Sequence, residues 1–117
     1  MGKQPLYPHI PKSKSLIPVA KENEIRRIAT GFRQGILGNK SSKAWCFAVS
    51  SALAGYLSFS GYQCEVVEGT VGDWDHYWIE YKGIIIDPTA DQFKTPEGKD
   101  MPPVYIGVKP DWYKTED

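Results

Sequence analysis

The feature of the sequence that most constrains the fold is an apolar segment from about Ala44 to Phe59. Its apolar residues fall on nearly every side of a helical projection, and Gly61 follows as a terminator. Ser41 or Ser42 precedes the segment and can cap its first turn. A helix that is apolar nearly all round is normally buried, so we expect this one to be the central helix of a small domain.

A second helical pattern lies upstream, over residues 19–32, where Ile25 and Phe32 belong to one apolar stripe. Glycines after this stretch are expected to end the helix. The first residues of the chain are rich in proline, which fixes φ and removes backbone donors, and this composition predicts an extended arm. We therefore expect an arm over 1–18 and a single domain over 19–117.

Strand-like segments rich in β-branched and aromatic residues follow the apolar helix. Glycines and a proline- and lysine-containing stretch separate them. Helices that come first, followed by an antiparallel sheet, predict an α+β domain in which the N-terminal helices pack on the sheet. The strands are expected at about 63–70, 75–81, 84–88 and 103–108.

Two of these strands predict a β-hairpin if Lys82 and Gly83 form a two-residue turn. Residues that pair across the hairpin then share a face, which places His76 and Asp87 on the same side as diagonal neighbours. A diagonal separation of ~7 to 8 Å can be closed by an imidazole and a carboxylate. The expected pairs are Tyr81 with Ile84, Ile79 with Ile86, Trp78 with Asp87, and His76 with Thr89.

Cys46 lies in the first turn of the apolar helix, where unpaired amides and the helix dipole favour a thiolate. An imidazole can take the thiol proton, and a neighbouring carboxylate stabilises the imidazolium that forms. Cys46, His76 and Asp87 are therefore the predicted catalytic residues. Each also has a structural reading: a buried thiol, a packing residue among aromatics, and a turn residue before Pro88.

The residues around these three resemble the transglutaminase-like proteins. His76, Trp78 and Glu80 look like the family's H-x-W-x-E pattern. The Asp, Thr and Gln that follow this pattern in the family are similar to Asp87, Thr89 and Gln92. The start of the helix, Cys46-Phe47-Ala48, similarly resembles the family's Cys, aromatic and small residues. The resemblance covers roughly residues 44 to 93.

This resemblance implies a papain-like arrangement in which the helical cysteine faces a histidine and an aspartate on adjacent strands. Family members include transglutaminases, cysteine peptidases, protein deamidases and inactive relatives, and the small lasso-peptide leader peptidases favour amide or peptide hydrolysis here. Lys40 stands where papain-like enzymes carry an oxyanion-stabilising Gln. The Cys46 amide, Asn39 and Gln34 are therefore the candidate oxyanion donors, and Trp45 and Trp78 the candidate packing or substrate-binding walls.

Several alternatives stay open. The fold could serve a transglutaminase or a deamidase acting on glutamine side chains, or an inactive peptide-binding module. Asp75 and Asp91 could replace Asp87 as the orienting carboxylate, although both are expected in turns. Cys64 is expected in the core. The Cys, His and Asp residues lack the short spacings of metal sites, so we expect no metal and no cofactor.

Charge and cysteine content restrict the partners. The chain has 117 residues, with 14 Lys and Arg against 14 Asp and Glu, so no net field attracts nucleic acid or an anionic membrane. We expect a peptide or protein substrate instead. Two cysteines and the lack of a signal-peptide pattern favour the cytoplasm.

Overall fold

The computed structural model describes residues 17–115 and contains two helices packed on one antiparallel sheet. The predicted α+β class is confirmed, whereas all but the end of the predicted arm lies outside the described residues. Neither helix in the described part of the chain is long and apolar enough to cross a bilayer. The elements are α1 (Val19–Leu37), α2 (Cys46–Phe59), β1 (Glu65–Val71), β2 (Trp74–Tyr81), β3 (Ile84–Asp87), β4 (Tyr105–Gly107) and β5 (Tyr113–Thr115).

Helix α1 is longer than the sequence predicts. It continues through Gly31 and Gly35 and ends before Gly38, whose φ is 56°. Ile25 and Ala29 on its inner face are fully buried, so packing against the rest of the domain outweighs the low helix propensity of the two interior glycines. The predicted end near residue 32 is therefore wrong.

Helix α2 begins at Cys46, and its N-cap, Trp45, makes no side-chain capping bond. The predicted serine cap is wrong because the Ser42 hydroxyl donates instead to Asp91 Oδ1 at 2.6 Å. Ala44, just before the helix, has a φ of 70°, a left-handed conformation that costs free energy for a residue with a Cβ. The chain therefore enters α2 through a strained turn, and the N-cap side chain does not cap the helix.

The β2–β3 hairpin has the predicted turn and register. Lys82 and Gly83 have φ values of 44° and 84°, as a turn with two left-handed residues requires. The pairs in the ladder are Tyr81 with Ile84, Glu80 with Ile85, and Ile79 with Ile86, which confirms the predicted register and alternation of faces next to the turn. The predicted pairs of Trp78 with Asp87 and of His76 with Thr89 are not part of this ladder. The hairpin lies in the middle of the sheet, whose strand order is β4-β3-β2-β1-β5.

Both faces of the sheet are covered. The face that packs on the helices carries alternate hairpin residues, and its cluster includes Leu53, Leu57, Ile79, Tyr81, Ile84 and Ile86. The opposite face carries the other set, and its cluster includes Trp78, Ile85, Met101, Tyr105 and Tyr113. The polar side chains of His76 and Asp87 are therefore held in a largely aromatic layer away from the helical core.

The fifth strand, β5, was not predicted. It pairs with β1 over three residue pairs, one of which joins Val71 to Tyr113. Close approach requires Gly69, because a Cβ there would lie 2.2 Å from the Lys114 carbonyl oxygen and 2.5 Å from the Trp78 ring. This strand brings a tyrosine from the C-terminal end of the domain into the layer that holds His76.

Candidate active site

His76 and Asp87 form a buried pair at the centre of the second face. Both residues have no exposed surface, and His76 Nε2 lies 2.8 Å from Asp87 Oδ2. The other carboxylate oxygen, Oδ1, accepts the Thr89 amide at 3.0 Å and the Thr89 hydroxyl at 3.4 Å. The structure thus brings together the histidine and the carboxylate that the hairpin pattern placed on one face.

Tyr113 is a partner of this pair that the sequence reasoning missed. Its hydroxyl donates to Asp87 Oδ2 at 2.6 Å, so that one oxygen accepts from both the tyrosine and His76. Burial and the Asp87 carboxylate raise the pKa of Tyr113 well above its ordinary value, which keeps the hydroxyl protonated as a donor. A lone tyrosine in a three-residue strand offers no local sequence signal for such a contact.

Cys46 is half-buried at the first position of α2 and interacts with the His76 ring. Nε2 of His76 is hydrogen-bonded to Asp87, so Nδ1 is the ring nitrogen available to the thiol. Nδ1 has no hydrogen bond of normal geometry within residues 17–115, so the contact with the thiol is long or poorly aligned. Catalytic hydrogen bonds commonly have this form until substrate is bound.

The pKa values of the two groups move in opposite directions. Burial alone would raise the pKa of the Cys46 thiol, but hydrogen bonding and attraction from His76, with backbone amides of Tyr77 and Phe47, lower it overall. Burial alone would lower the pKa of His76, but Asp87 and then Cys46 raise it to about 9. Both shifts increase the share of the thiolate and imidazolium pair over the neutral thiol and imidazole.

Aromatic side chains border the thiol. Phe47 is 56% exposed and packs edge-on against Tyr77 with a ring-centroid distance of 4.8 Å. Trp45 is half-buried, and the Lys40 ammonium lies 5.1 Å from the centroid of its ring. Phe47 was noted in the sequence only as part of the resemblance, and its exposure beside Cys46 is a finding of the structure.

The remaining predicted site residues lie in different places. Trp78 is fully buried and packs on Tyr113 at a centroid distance of 5.1 Å, where it excludes water from the His76 and Asp87 pair. Gln34 and Asn39 are exposed near the end of α1, and their side chains make no hydrogen bond to other described residues. The start of α2 has no capping side chain, so its backbone amides remain candidates for the oxyanion donors.

Neither Asp91 nor Asp75, the alternative orienting residues, has a carboxylate hydrogen-bonded to the His76 ring, which pairs with Asp87. Asp75 lies in β2 and not in the expected turn. Asp91 accepts two bonds from the Arg33 guanidinium, at 3.0 and 2.7 Å, and one from Ser42. Arg33 also donates to the Pro88 carbonyl at 3.0 Å. These bonds join α1, the loop before Cys46 and the loop after Asp87. They therefore fix the position of the loop that precedes Cys46 relative to the loop that follows Asp87.

Cys64 lies near the opposite end of α2 from Cys46. Its half-buried thiol contacts the Ala54 carbonyl at 3.7 Å and the Ser58 hydroxyl at 3.8 Å. Burial, opposed in part by Ser58, raises its pKa. The His, Cys, Asp and Glu side chains of residues 17–115 form no group of three that could hold a metal ion.

Comparison with protein-family models, with curated proteins and with solved structures found no match to this chain. The contacts around Cys46, His76 and Asp87 are therefore the basis for any functional conclusion.

The two thiols should differ strongly in reactivity. At pH 6 we expect iodoacetamide to alkylate Cys46 at least about tenfold faster than Cys64, because the thiolate is the reacting species and the two pKa values are shifted in opposite directions. Peptide mapping by mass spectrometry at timed quench points measures both rates. Equal rates, or reaction of Cys46 only after denaturation, would contradict the thiolate assignment.

Proposed function

We propose that this protein is a transglutaminase-like cysteine hydrolase that cleaves amide or peptide bonds through a thioester, on a papain-like core. One observation carries the proposal: Cys46 occupies an uncapped helix N-terminus against a buried His76 and Asp87 pair. Each residue type has a plain structural explanation when it is alone. Their convergence, with a lowered thiol pKa and a raised imidazole pKa, is typical of nucleophilic catalysis.

In the first half of the proposed reaction, Cys46 Sγ attacks the carbonyl carbon of the substrate amide. The carbonyl oxygen becomes an oxyanion that accepts hydrogen bonds from open amides at the start of α2. His76 then donates its proton to the amide nitrogen, the C–N bond breaks, and the amine leaves. A thioester to Cys46 remains, and His76 is neutral.

In the second half, neutral His76 takes a proton from water as the water attacks the thioester carbonyl. Collapse of the tetrahedral intermediate breaks the C–S bond and releases the carboxylic acid and the Cys46 thiolate, while His76 keeps the proton as an imidazolium, which restores the starting pair. An amine in place of water would give transamidation, and a glutamine side chain as substrate would give deamidation. These alternatives share the first half and differ in the acceptor or in the amide that is attacked.

The proposed substrate is a peptide or a protein. Exposed Phe47, which packs on half-buried Tyr77, and half-buried Trp45 flank Cys46 in the chain and offer aromatic surface, which suits a peptide chain better than a highly charged polymer. The balanced formal charge of the chain agrees with this choice. A reducing compartment keeps a nucleophilic thiol from oxidation, so a cytoplasmic location is part of the proposal.

The test is incubation of the protein with a pool of synthetic peptides of varied sequence that contain glutamine. We expect new peptide termini, read by mass spectrometry, that appear with the wild type and are absent with Cys46→Ala. A gain of one mass unit at glutamine without cleavage would identify deamidation instead. Incorporation of added cadaverine would identify acyl transfer.

The Cys46→Ala protein purified in parallel is the control for contaminating peptidases, and Cys64→Ala, which should retain the wild-type activity, is the control for the loss of a thiol. Products formed equally by Cys46→Ala would refute the assignment of the nucleophile. Reversible peptide binding without any product, together with an unreactive Cys46, would favour the inactive binding module.

A further inference from the structure

The carboxylate of Asp87 is saturated by donors. Oδ1 accepts the amide and the hydroxyl of Thr89, and Oδ2 accepts His76 Nε2 and the Tyr113 hydroxyl. A carboxylate offers about four lone-pair sites, so these contacts use its full accepting capacity. All four residues have no exposed surface, and therefore no bulk water competes for Asp87.

Tyr113 makes the shortest of these bonds, at 2.6 Å, and shares its acceptor oxygen with His76. Its ring packs against Trp78 and lies 6.3 Å from the His76 ring, centroid to centroid. The backbone is fixed as well, since Tyr113 pairs with Val71 in β1 and the Lys109 ammonium donates to its carbonyl at 2.9 Å. The pairing of β5 with β1 therefore fixes the position of the Tyr113 hydroxyl next to Asp87.

We propose that Tyr113 is a positioning residue, which holds Asp87 Oδ2 against His76 and withdraws part of the carboxylate charge from the imidazolium. The inference rests on the proposed function, in which His76 must donate its proton to the leaving amine. Without the Tyr113 hydroxyl, the full negative charge of Asp87 would act on the imidazolium and hold that proton too strongly. The carboxylate would also be free to rotate, which would misalign the ring. A hydroxyl donor on the shared oxygen opposes both effects.

The test compares Tyr113→Phe with a matched control, Tyr105→Phe. Tyr105 is also buried in the same aromatic layer, but its hydroxyl donates to the Val108 carbonyl and has no bond to Asp87. NMR titration of the His76 ring gives its pKa without any need for catalysis. Steady-state kinetics on a peptide cleaved by the wild type give kcat and KM.

For Tyr113→Phe we expect the pKa of His76 to rise from about 9 by roughly 0.5, because the carboxylate charge acts more fully on the imidazolium. We expect kcat to fall about tenfold with KM unchanged. Tyr105→Phe should leave both quantities at their wild-type values. If Tyr113→Phe and Tyr105→Phe lower the melting temperature alike and neither changes the His76 titration, Tyr113 is only structural.

A fluorinated tyrosine placed at position 113 by codon suppression keeps the ring and provides a second variant if Tyr113→Phe fails to fold. Its hydroxyl is a stronger donor, so the pKa of His76 should fall rather than rise. An unchanged or raised value would overturn the proposal. If the NMR shifts appear as expected while no amide substrate is turned over, the role of Tyr113 stands and the proposed function fails.

Discussion

His76→Ala should lower kcat/KM on a cleaved peptide by about four powers of ten or more, because the ring supplies both the base and the acid of the proposed reaction. Asp87→Asn should also lower it, by roughly two to four powers of ten. The groups around Asp87 all donate hydrogen bonds to it. The NH₂ of an asparagine at this position would therefore face another donor, either at Thr89 or on the side that holds His76. Single-turnover kinetics measure these losses.

The double variant His76→Ala with Asp87→Ala provides the control for this prediction. If Asp87 acts only through His76, the double variant should be hardly slower than His76→Ala alone, since residues that work as one unit are not additive. Circular dichroism must first show that each variant is folded. Fully additive losses would remove Asp87 from the site.

Leu53→Ala should lower the free energy of unfolding by about 2 to 5 kcal/mol. Leu53 has no exposed surface and belongs to the cluster between α2 and the sheet, so truncation leaves a cavity in the main core. Urea denaturation followed by circular dichroism measures the change.

Cys46→Ser on the same helix is the matched comparison. It should change the free energy of unfolding by less than about 1 kcal/mol, because the half-buried side chain lies at the helix terminus and serine has nearly the same shape as cysteine. A large loss for Cys46→Ser together with a small one for Leu53→Ala would show that α2 packs through a different face.

The hairpin and its consequences could be predicted from the sequence. A two-residue turn fixes register, and register fixes faces, so the alternation from His76 to Asp87 was sufficient to place both side chains together. The apolar pattern also identified α2 as a helix, but the prediction that it is buried nearly all round is wrong. One face packs on the core, whereas Phe47, Tyr56 and Phe59 on the outer side are 56%, 45% and 88% exposed. Both signals are local and depend on periodicity alone.

Contacts between distant segments could not be predicted in this way. Tyr113 reaches Asp87 because β5 pairs with β1, and Arg33 reaches Asp91 across α1 and the loop after β3. Neither pair has a spacing or pattern that marks it. The serine cap failed for the same reason, since a distant carboxylate bonds the Ser42 hydroxyl.

The most direct test of the central proposal, that Cys46 forms an acyl-enzyme, is intact mass spectrometry of the protein quenched in acid during turnover of the peptide pool. We expect a transient mass increase equal to the acyl part of a cleaved peptide, located on Cys46 and removed by neutral hydroxylamine, as a thioester requires. The Cys46→Ala protein should show none. Turnover by the wild type with no adduct on Cys46 at any quench time, and with the same rate in Cys46→Ala, would contradict the proposal.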